Sequence, residues 1–327
     1  MTTRSRHLIS YAAAMVALLL WQILFYNKGI QRLSDFDQDL LYSLGAQVLC
    51  MGIVPLLSLV ILSKGRVKGL AAQLRYKAPV DKKTCALVTI GLILLITPFV
   101  MAFSAITRLI FQIIGYKRSF GAGMIYTGGG DFVISLCITA LLPAVFEEFT
   151  HRGVLLSGLQ SRGSEYSAVL ISALMFSLMH LNPSQAIFTF FGGLVFAIVA
   201  VKFNSIIPAM CVHFANNAIA VFLDYSTQRK TAFGTWYDKI SSNGNVLHFF
   251  LTFAVLVIAL FGTVKLLQYA AKKAPKPVTP KLLFGSIPLD AFSPDGKALL
   301  KENAPLYATI IAEGLYFVML LVWGIVK

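Results

Sequence analysis

The chain has 327 residues, of which 57% are hydrophobic and only 13% are charged, and its formal net charge is +14. Soluble domains carry about 25% charged residues, so this composition excludes an ordinary soluble fold and predicts an all-α, polytopic bundle of membrane helices. The basic residues cluster between apolar stretches. That pattern favours membrane orientation and contact with anionic lipids, and it argues against nucleic-acid binding.

Apolar windows predict eight or nine transmembrane helices, because each crossing of a bilayer needs about 20 apolar residues. The predicted spans are 8–26, 41–63, 84–113, 131–158, 166–182, 184–202, 205–224, 247–270 and 306–326. The first apolar run has no signal-peptide cleavage site, so we expect it to be retained as a span. Pro98 lies inside the third span, where a membrane helix tolerates it.

Loop charge predicts how these spans are oriented. With nine spans, the N-terminus and two basic segments lie on one side, which the positive-inside rule assigns to the cytoplasm. The loop after the first span carries Asp35, Asp37 and Asp39 and lies on the other side. We therefore expect a multi-pass protein of the cell membrane with a cytoplasmic N-terminus. The basic residues are Arg4, Arg6, Lys64, Arg66, Lys68, Arg75, Lys77, Lys82, Lys83, Lys272, Lys273, Lys276, Lys281, Lys297 and Lys301.

Three regions follow from this pattern. Residues 1–130 hold N-terminal spans and a basic cytoplasmic loop, and residues 226–327 hold C-terminal spans with a Pro/Lys-rich loop over 272–305, where we expect little regular structure. Residues 131–225 hold most of the ionisable side chains that lie inside spans. A charge within a bilayer costs about 2.5–3.5 kcal/mol on insertion scales, so this concentration predicts a functional site in the central region.

The most costly feature is the adjacent pair Glu147 and Glu148, at the end of a long apolar run. Glu148 and Arg152 are four residues apart, so they share a helix face and can neutralise each other. Glu147 points about 100° away on the same helix and is free to face another element. A carboxylate of that kind suits general acid–base chemistry.

Two further spans supply polar side chains that can meet Glu147. His180 closes the fifth span just before Pro183, which disfavours continuation of the helix. His213 and Asn217 are four residues apart in the seventh span and share a face. A glutamate, a histidine and a His/Asn pair from three helices can converge on one water molecule.

These residues form three ordered motifs on three predicted helices: Glu147-Glu148-x-x-x-Arg152, Phe176-x-x-x-His180 and His213-x-x-x-Asn217. Over roughly 131–225 the chain resembles the CAAX-protease and bacteriocin-processing family (CPBP, or ABI) of intramembrane endopeptidases. That family includes the type II endopeptidases that cleave prenylated CAAX proteins. The resemblance implies a membrane endopeptidase that acts on a membrane-anchored or prenylated peptide.

The resemblance also implies a role for each motif residue. Glu147 and His180 would activate the attacking water. His213 and Asn217 would donate hydrogen bonds to the oxyanion of the tetrahedral intermediate. Glu148 and Arg152 would support the helix that carries Glu147, and His151, outside the motif, would support it or compete for the same partners.

Two questions stay open at the level of the sequence. Glu147, His180 and His213 form a set that suffices for catalytic zinc, as in a metalloprotease, but no HExxH spacing exists, and we favour a mechanism without a metal cofactor. The alternatives to an enzyme are a non-catalytic membrane scaffold or regulator, or a bacteriocin self-immunity protein, of the same fold. A proton-coupled transporter is disfavoured because no inverted repeat is visible.

Overall fold

The structure, a computed structural model, describes residues 1–25, 35–79, 81–116, 125–161, 165–241, 246–273 and 294–326. These residues form helices and no β-strand, so the predicted all-α class is confirmed. The helices are α1 (Thr3–Phe25), α2 (35–62), α3 (Leu70–Gln73), α4 (Lys82–Ile113), α5 (Gly129–Gln160), α6 (Glu165–Leu178), α7 (Pro183–Lys202), α8 (Ile207–Gln228), α9 (Ala232–Ser241), α10 (Val246–Lys273) and α11 (Pro294–Val326).

Within the described ranges, eight helices are long and apolar enough to cross a membrane: α1, α2 over Leu40–Leu62, α4, α5, α7, α8, α10 and α11. The predicted fifth span, 166–182, is shorter than the sequence indicated. Its helix, α6, has 14 residues and is about 21 Å long, whereas the hydrocarbon core of a bilayer is about 30 Å thick. The helix ends early because a turn precedes Pro183, which opens α7.

One end of the bundle gathers the basic loops, and we call it the basic end. Arg4 Nη1 donates to the carbonyl of Leu159 at 2.7 Å, and Arg4 Nε donates to Asn303 Oδ1 at 3.0 Å. The start of α1, the end of α5 and the first part of α11 therefore lie together. The amide of Ile206 donates to the carbonyl of Arg75 at 3.0 Å, which brings the start of α8 to the 63–81 loop.

The pair α6 and α7 forms an antiparallel hairpin that starts and finishes at the basic end. An ion pair joins Glu165, at the start of α6, to Lys202, at the end of α7. The tip of the hairpin, at 179–182, therefore points away from the basic end. With α6 as a short ninth pass, α1 begins at the basic end and α11 finishes at the opposite end.

The opposite end is where α5 begins and α8 finishes. The amide of Tyr126 donates to Gln228 Oε1 at 3.3 Å, and Arg229 Nη1 donates to the carbonyl of Thr127 at 3.1 Å. Helix α9 follows directly after α8 and packs on its last turns, where Gly234 lies so close to the backbone of Ser226 that a Cβ could not fit.

Two predicted loops are partly helical. Helix α11 begins at Pro294, so the expectation of little regular structure is wrong for 294–305, and Lys276 and Lys281 lie outside the described residues. Helix α2 begins at Asp35, where the sequence indicated a loop, although the side chains of Asp35, Asp37 and Asp39 lie outside the described part of the chain.

The helices near the site are not regular α-helices. Helix α2 is π-helical over Leu44–Ile53, and α5 is π-helical over Leu136–Leu141 and Phe149–Leu155. The carboxylate pair lies at the end of the α-helical stretch between the last two, Leu142–Glu148. Because π-turns close with i→i+5 bonds, they rotate the side chains that follow relative to an uninterrupted α-helix, and such turns are frequent at functional sites.

Candidate active site

A cavity of about 650 Å³ lies among α4, α5, α6, α7, α8 and α9. Its wall contains the four side chains to which the sequence assigned chemistry: Glu147, His180, His213 and Asn217. They come from α5, the turn after α6, and α8. Three helices that are far apart in sequence thus bring the predicted residues to one space.

Glu148 and Arg152 lie behind this wall and are fully buried. The ion pair expected from their spacing is present, with Arg152 Nη1 2.9 Å from Glu148 Oε1. Arg152 Nη2 also donates to the carbonyl of Gly193 at 2.9 Å, and its guanidinium lies 4.3 Å from the ring centre of Phe176. These contacts tie α5 to α6 and α7, which a supporting role requires.

Close approach of α6 and α7 makes these contacts possible. A Cβ at Gly193 would lie 3.2 Å from Cα of Ala173, tighter than most real contacts, so the hairpin needs glycine there. A Cβ at the neighbouring Gly192 would meet nothing within 4 Å, and Gly192 lines the cavity. One glycine therefore brings the two helices together, while the other keeps the cavity open.

Glu148 has a second partner that sequence reasoning missed. His213 Nδ1 lies 3.0 Å from Glu148 Oε1, and because a carboxylate accepts, this ring nitrogen carries the hydrogen. The contact fixes the tautomer of His213 and leaves Nε2 directed at the cavity, 3.9 Å from Glu147 Oε2. The ring of Phe196 stacks on the imidazole at 5.0 Å and holds its plane.

Glu147 is anchored through one oxygen only. Its Oε1 accepts a hydrogen bond from Gln47 Nε2 in α2 at 2.7 Å. Its Oε2 is buried without a hydrogen-bond partner, and the residue as a whole is 6% exposed. Gln47 was not foreseen, because the two residues are 100 positions apart and no local pattern links them.

His180 is oriented by the hairpin tip. Its Nδ1 donates to the carbonyl of Phe176 at 2.7 Å, which leaves Nε2 without a proton in the neutral ring. The chain then reverses through Leu181, whose φ is +47°, and Asn182 caps α7 by accepting from the amide of Ser184 at 3.1 Å. The tight turn therefore presents His180 to the cavity.

His151 does not line the cavity. Its Nδ1 donates to the carbonyl of Glu147 at 3.0 Å, and the hydroxyl of Tyr11 lies 3.3 Å from its Nε2. Both ring nitrogens are thus engaged, and the side chain is 0% exposed. His151 supports the backbone at Glu147 and does not compete for the carboxylate.

Asn217 and its neighbour Asn216 line the wall of α8. Asn216 Nδ2 donates to Asn217 Oδ1 at 3.2 Å, and Asn217 Nδ2 donates to the carbonyl of Thr139 at 3.2 Å. The amide group of Asn217 is therefore held by bonds at both its atoms. Its Nδ2 has a second hydrogen that remains for a bound substrate.

Over the described part of the chain, no group of three or more His, Cys, Asp or Glu side chains is arranged to hold a metal ion. His213 Nδ1 and His180 Nδ1 are committed to Glu148 and to a carbonyl, so only their Nε2 atoms are left as ligands.

Comparison with known proteins identifies the same region. Residues 129–219, a little over a quarter of the chain, match the family model described as type II CAAX prenyl endopeptidase Rce1-like. The match contains all three motifs and agrees with the region that the sequence resemblance covered. Neither the curated proteins nor the solved structures gave a significant match. Residues 129–219 are therefore similar to the type II CAAX prenyl endopeptidases, within a chain that has eight candidate membrane-spanning helices in its described part.

Proposed function

We propose that this protein is an intramembrane endopeptidase that hydrolyses a peptide bond of a membrane-anchored or lipidated substrate, with Glu147 as the base for water. The observation that carries the proposal is the environment of Glu147 Oε2. This oxygen is buried in the cavity wall, has no hydrogen-bond partner, and faces His213 Nε2 at 3.9 Å. Glu148 Oε2 is also buried without a partner among the described residues, but only Glu147 lines the cavity, where water or substrate can supply one.

Water activation uses two proton acceptors. A water molecule in contact with Glu147 Oε2 loses a proton to that oxygen while its own oxygen bonds to the carbonyl carbon of the substrate. His180 Nε2 can accept a hydrogen bond from the same water, because Nδ1 is committed to the Phe176 carbonyl. Gln47 holds the other oxygen of Glu147, so the carboxylate cannot rotate freely.

The negative charge that develops on the substrate oxygen meets Asn217. One preorganised donor of this kind contributes about 2.7–4 kcal/mol to the transition state. The family resemblance also assigns His213 to the oxyanion. Since its Nδ1 is bonded to Glu148, His213 can donate through Nε2 only as an imidazolium. In that form the formal charges of Glu147, Glu148, Arg152 and His213 cancel, which favours their burial together.

Collapse of the tetrahedral intermediate completes the reaction. The carbon–nitrogen bond breaks, and the proton held by Glu147 passes to the leaving nitrogen. The products are a carboxylic acid and an amine, which become a carboxylate and an ammonium ion when the acid proton passes to the amine, and Glu147 returns to its ionised state. The side chains of this site can carry the whole proton cycle, so we propose hydrolysis without a metal cofactor.

The test is turnover by purified wild-type protein and Glu147→Gln. The substrates are a prenylated CAAX peptide and a panel of lipidated, membrane-proximal peptides, with products read by mass spectrometry. Glu147→Gln keeps the size of the side chain but removes the base, so we expect a 10²- to 10⁴-fold loss of rate. Glu165→Gln removes the ion pair with Lys202 at the basic end, away from the cavity lining, and serves as the matched control that should keep wild-type turnover.

Equal turnover by wild-type and Glu147→Gln protein would refute the assignment. Binding of a membrane partner that survives Glu147→Gln, with no cleavage by either protein, would instead favour a scaffold or regulator.

A further inference from the structure

The cavity has a direction along the bundle. Seven of its lining residues lie along one face of α8: His213, Asn216, Asn217, Ala220, Leu223, Asp224 and Thr227. His213 lies about 9 Å from the start of α8 and Thr227 about 30 Å, at a rise of 1.5 Å per residue. Because α8 begins at the basic end, the cavity runs from the level of His213 towards the opposite end.

The outer part of the cavity lies at the opposite end. There Asp224 and Thr227 of α8 meet Tyr237 of α9. Asp224 and Thr227 are half-buried and Ala220, one turn before Asp224, is exposed, so this part of the wall borders an opening and not a closed core. Gln185, at the start of α7, faces the same part of the cavity.

The floor of the cavity is closed towards the basic end. Phe176 and Phe196 form the floor and are 3% and 4% exposed, and Arg152 directly beneath them is 0% exposed. Among the described residues, the lining includes none from the 63–81 loop or from the 202–206 turn. Substrate therefore has no path to Glu147 from the basic end in this conformation.

The charge of the loops indicates which end of the bundle faces the cytoplasm. The N-terminus, the basic 63–81 loop and the start of α11 lie at the basic end, which the positive-inside rule assigns to the cytoplasm. We infer that the active-site cavity opens to the outer face of the membrane. Its substrate is then an exported, membrane-anchored polypeptide whose scissile bond lies in the outer half of the bilayer. This inference rests on the proposed endopeptidase function.

The cavity wall also limits the chemistry of the segment that enters. It carries Glu147 and Asp224 and, in the described part of the chain, no Lys or Arg. A free carboxyl terminus would meet two carboxylates and no permanent cation. The α8 wall carries His213, Asn216 and Asn217, while Val100, Met101 and Phe188 form an apolar patch on the facing wall of α4 and α7. The geometry fits an internal, uncharged or basic peptide segment with its apolar anchor towards α4 and α7.

Sidedness is tested first by chemical labelling in intact cells. In a background with Cys50, Cys85, Cys137 and Cys211 replaced by Ala, we would place one cysteine at the mouth, Thr227→Cys, or at the basic end, Lys77→Cys. A membrane-impermeant maleimide should label the mouth cysteine in intact cells, and the basic-end cysteine only after permeabilisation. The reverse pattern would overturn the inference. If the cysteine-free protein does not accumulate, alkaline phosphatase fused after residue 326 should be active, and an inactive fusion would overturn it equally.

Cleavage in oriented vesicles then separates this inference from the proposed function. The probe is a neutral decapeptide with one fatty acyl chain, which inserts from outside into right-side-out or inverted membrane vesicles. We expect cleavage by right-side-out vesicles and in detergent, with at least a tenfold lower rate in inverted vesicles. Cleavage in detergent and in inverted vesicles only would overturn the sidedness alone. Absence of cleavage in detergent, for this and the whole peptide panel, would overturn the proposed function.

Discussion

The two sides of helix α5 treat adjacent carboxylates in opposite ways. On the sealed side, Glu148 is fully buried and shares one oxygen between Arg152 and His213. On the cavity side, Glu147 has a single hydrogen-bond partner, Gln47. Each carboxylate has a second oxygen without a partner among the described residues, but only Glu147 lines the cavity. Both residues carry the same carboxylate group, so their proposed roles, support for Glu148 and catalysis for Glu147, follow from their different surroundings.

The contrast shows how two adjacent carboxylates in a low-dielectric site can take different roles. The charge of Glu148 is balanced by Arg152, which is itself held by the carbonyl of Gly193. Its conformation is therefore set by the fold. Glu147 keeps an uncommitted oxygen because Gln47, a neutral donor, orients it without neutralising it. On this account, Glu148 and its partners hold the helices in place, and Glu147 remains available to a water molecule in the cavity.

The largest expected effect is on stability and comes from the sealed side. Arg152→Met leaves Glu148 buried beside His213 alone, and breaking a buried ion pair from one side costs about 3–5 kcal/mol. Thermal unfolding of the detergent-solubilised protein measures this. The double variant Glu148→Gln with Arg152→Met removes both charges and should recover part of the loss.

The ion pair between Lys202 and Glu165 at the basic end gives the matched comparison. It is partly exposed, with 19% and 25% of the two side chains accessible. Lys202→Met should therefore cost only about 0–1 kcal/mol. Equal losses for Lys202→Met and Arg152→Met would show that the sealed side has no special structural role.

Asn217→Ala tests the oxyanion donor on the cavity side. Loss of one preorganised donor costs about 2.7–4 kcal/mol in the transition state, or roughly 10²- to 10³-fold in kcat, with little change in KM. Asn216→Ala removes a cavity-lining amide that donates to Asn217 Oδ1, and it should cost about tenfold or less. If the Asn216 variant were the more damaged of the two, the oxyanion role would belong to that side chain.

Gln47→Leu tests the anchor of Glu147. A hydrogen bond to a charged group is worth about 1.5–3 kcal/mol, so kcat should fall by roughly 10- to 100-fold while KM stays near its wild-type value. Gln47→Asn should restore part of the rate, because asparagine carries the same amide donor. It should not restore all of it, because the shorter side chain does not reach Glu147 as well. Gln73→Leu, on the exposed helix α3, is the control. A change confined to KM, or equal loss of folded protein in all variants, would argue for a structural role only.

The smallest expected effect concerns metal removal. The described residues do not form a three-ligand site in this conformation, so treatment with a chelator should leave turnover unchanged, and metal analysis should find no stoichiometric zinc. Loss of activity that added zinc restores would overturn the metal-free mechanism while keeping Glu147, His180 and His213 in the site.

The sequence predicted the membrane bundle and the convergence of Glu147, His180, His213 and Asn217, because apolar length and i,i+4 spacing are local properties. It also predicted the pairing of Glu148 with Arg152. It missed Gln47 and the contact from Glu148 to His213, since these depend on packing between helices that are distant in the chain. The π-turns of α5 escaped prediction because an apolar membrane helix shows no period that distinguishes them.

The most direct measurement of the division of labour compares Glu147→Gln and Glu148→Gln in one experiment. Unfolding midpoint and single-turnover cleavage rate are determined for each purified protein. We expect Glu147→Gln to unfold like the wild type and to lose 10²- to 10⁴-fold in rate. Glu148→Gln should unfold at a lower temperature and lose less rate per folded molecule. A Glu148→Gln protein less active than a still-active Glu147→Gln protein would contradict the account.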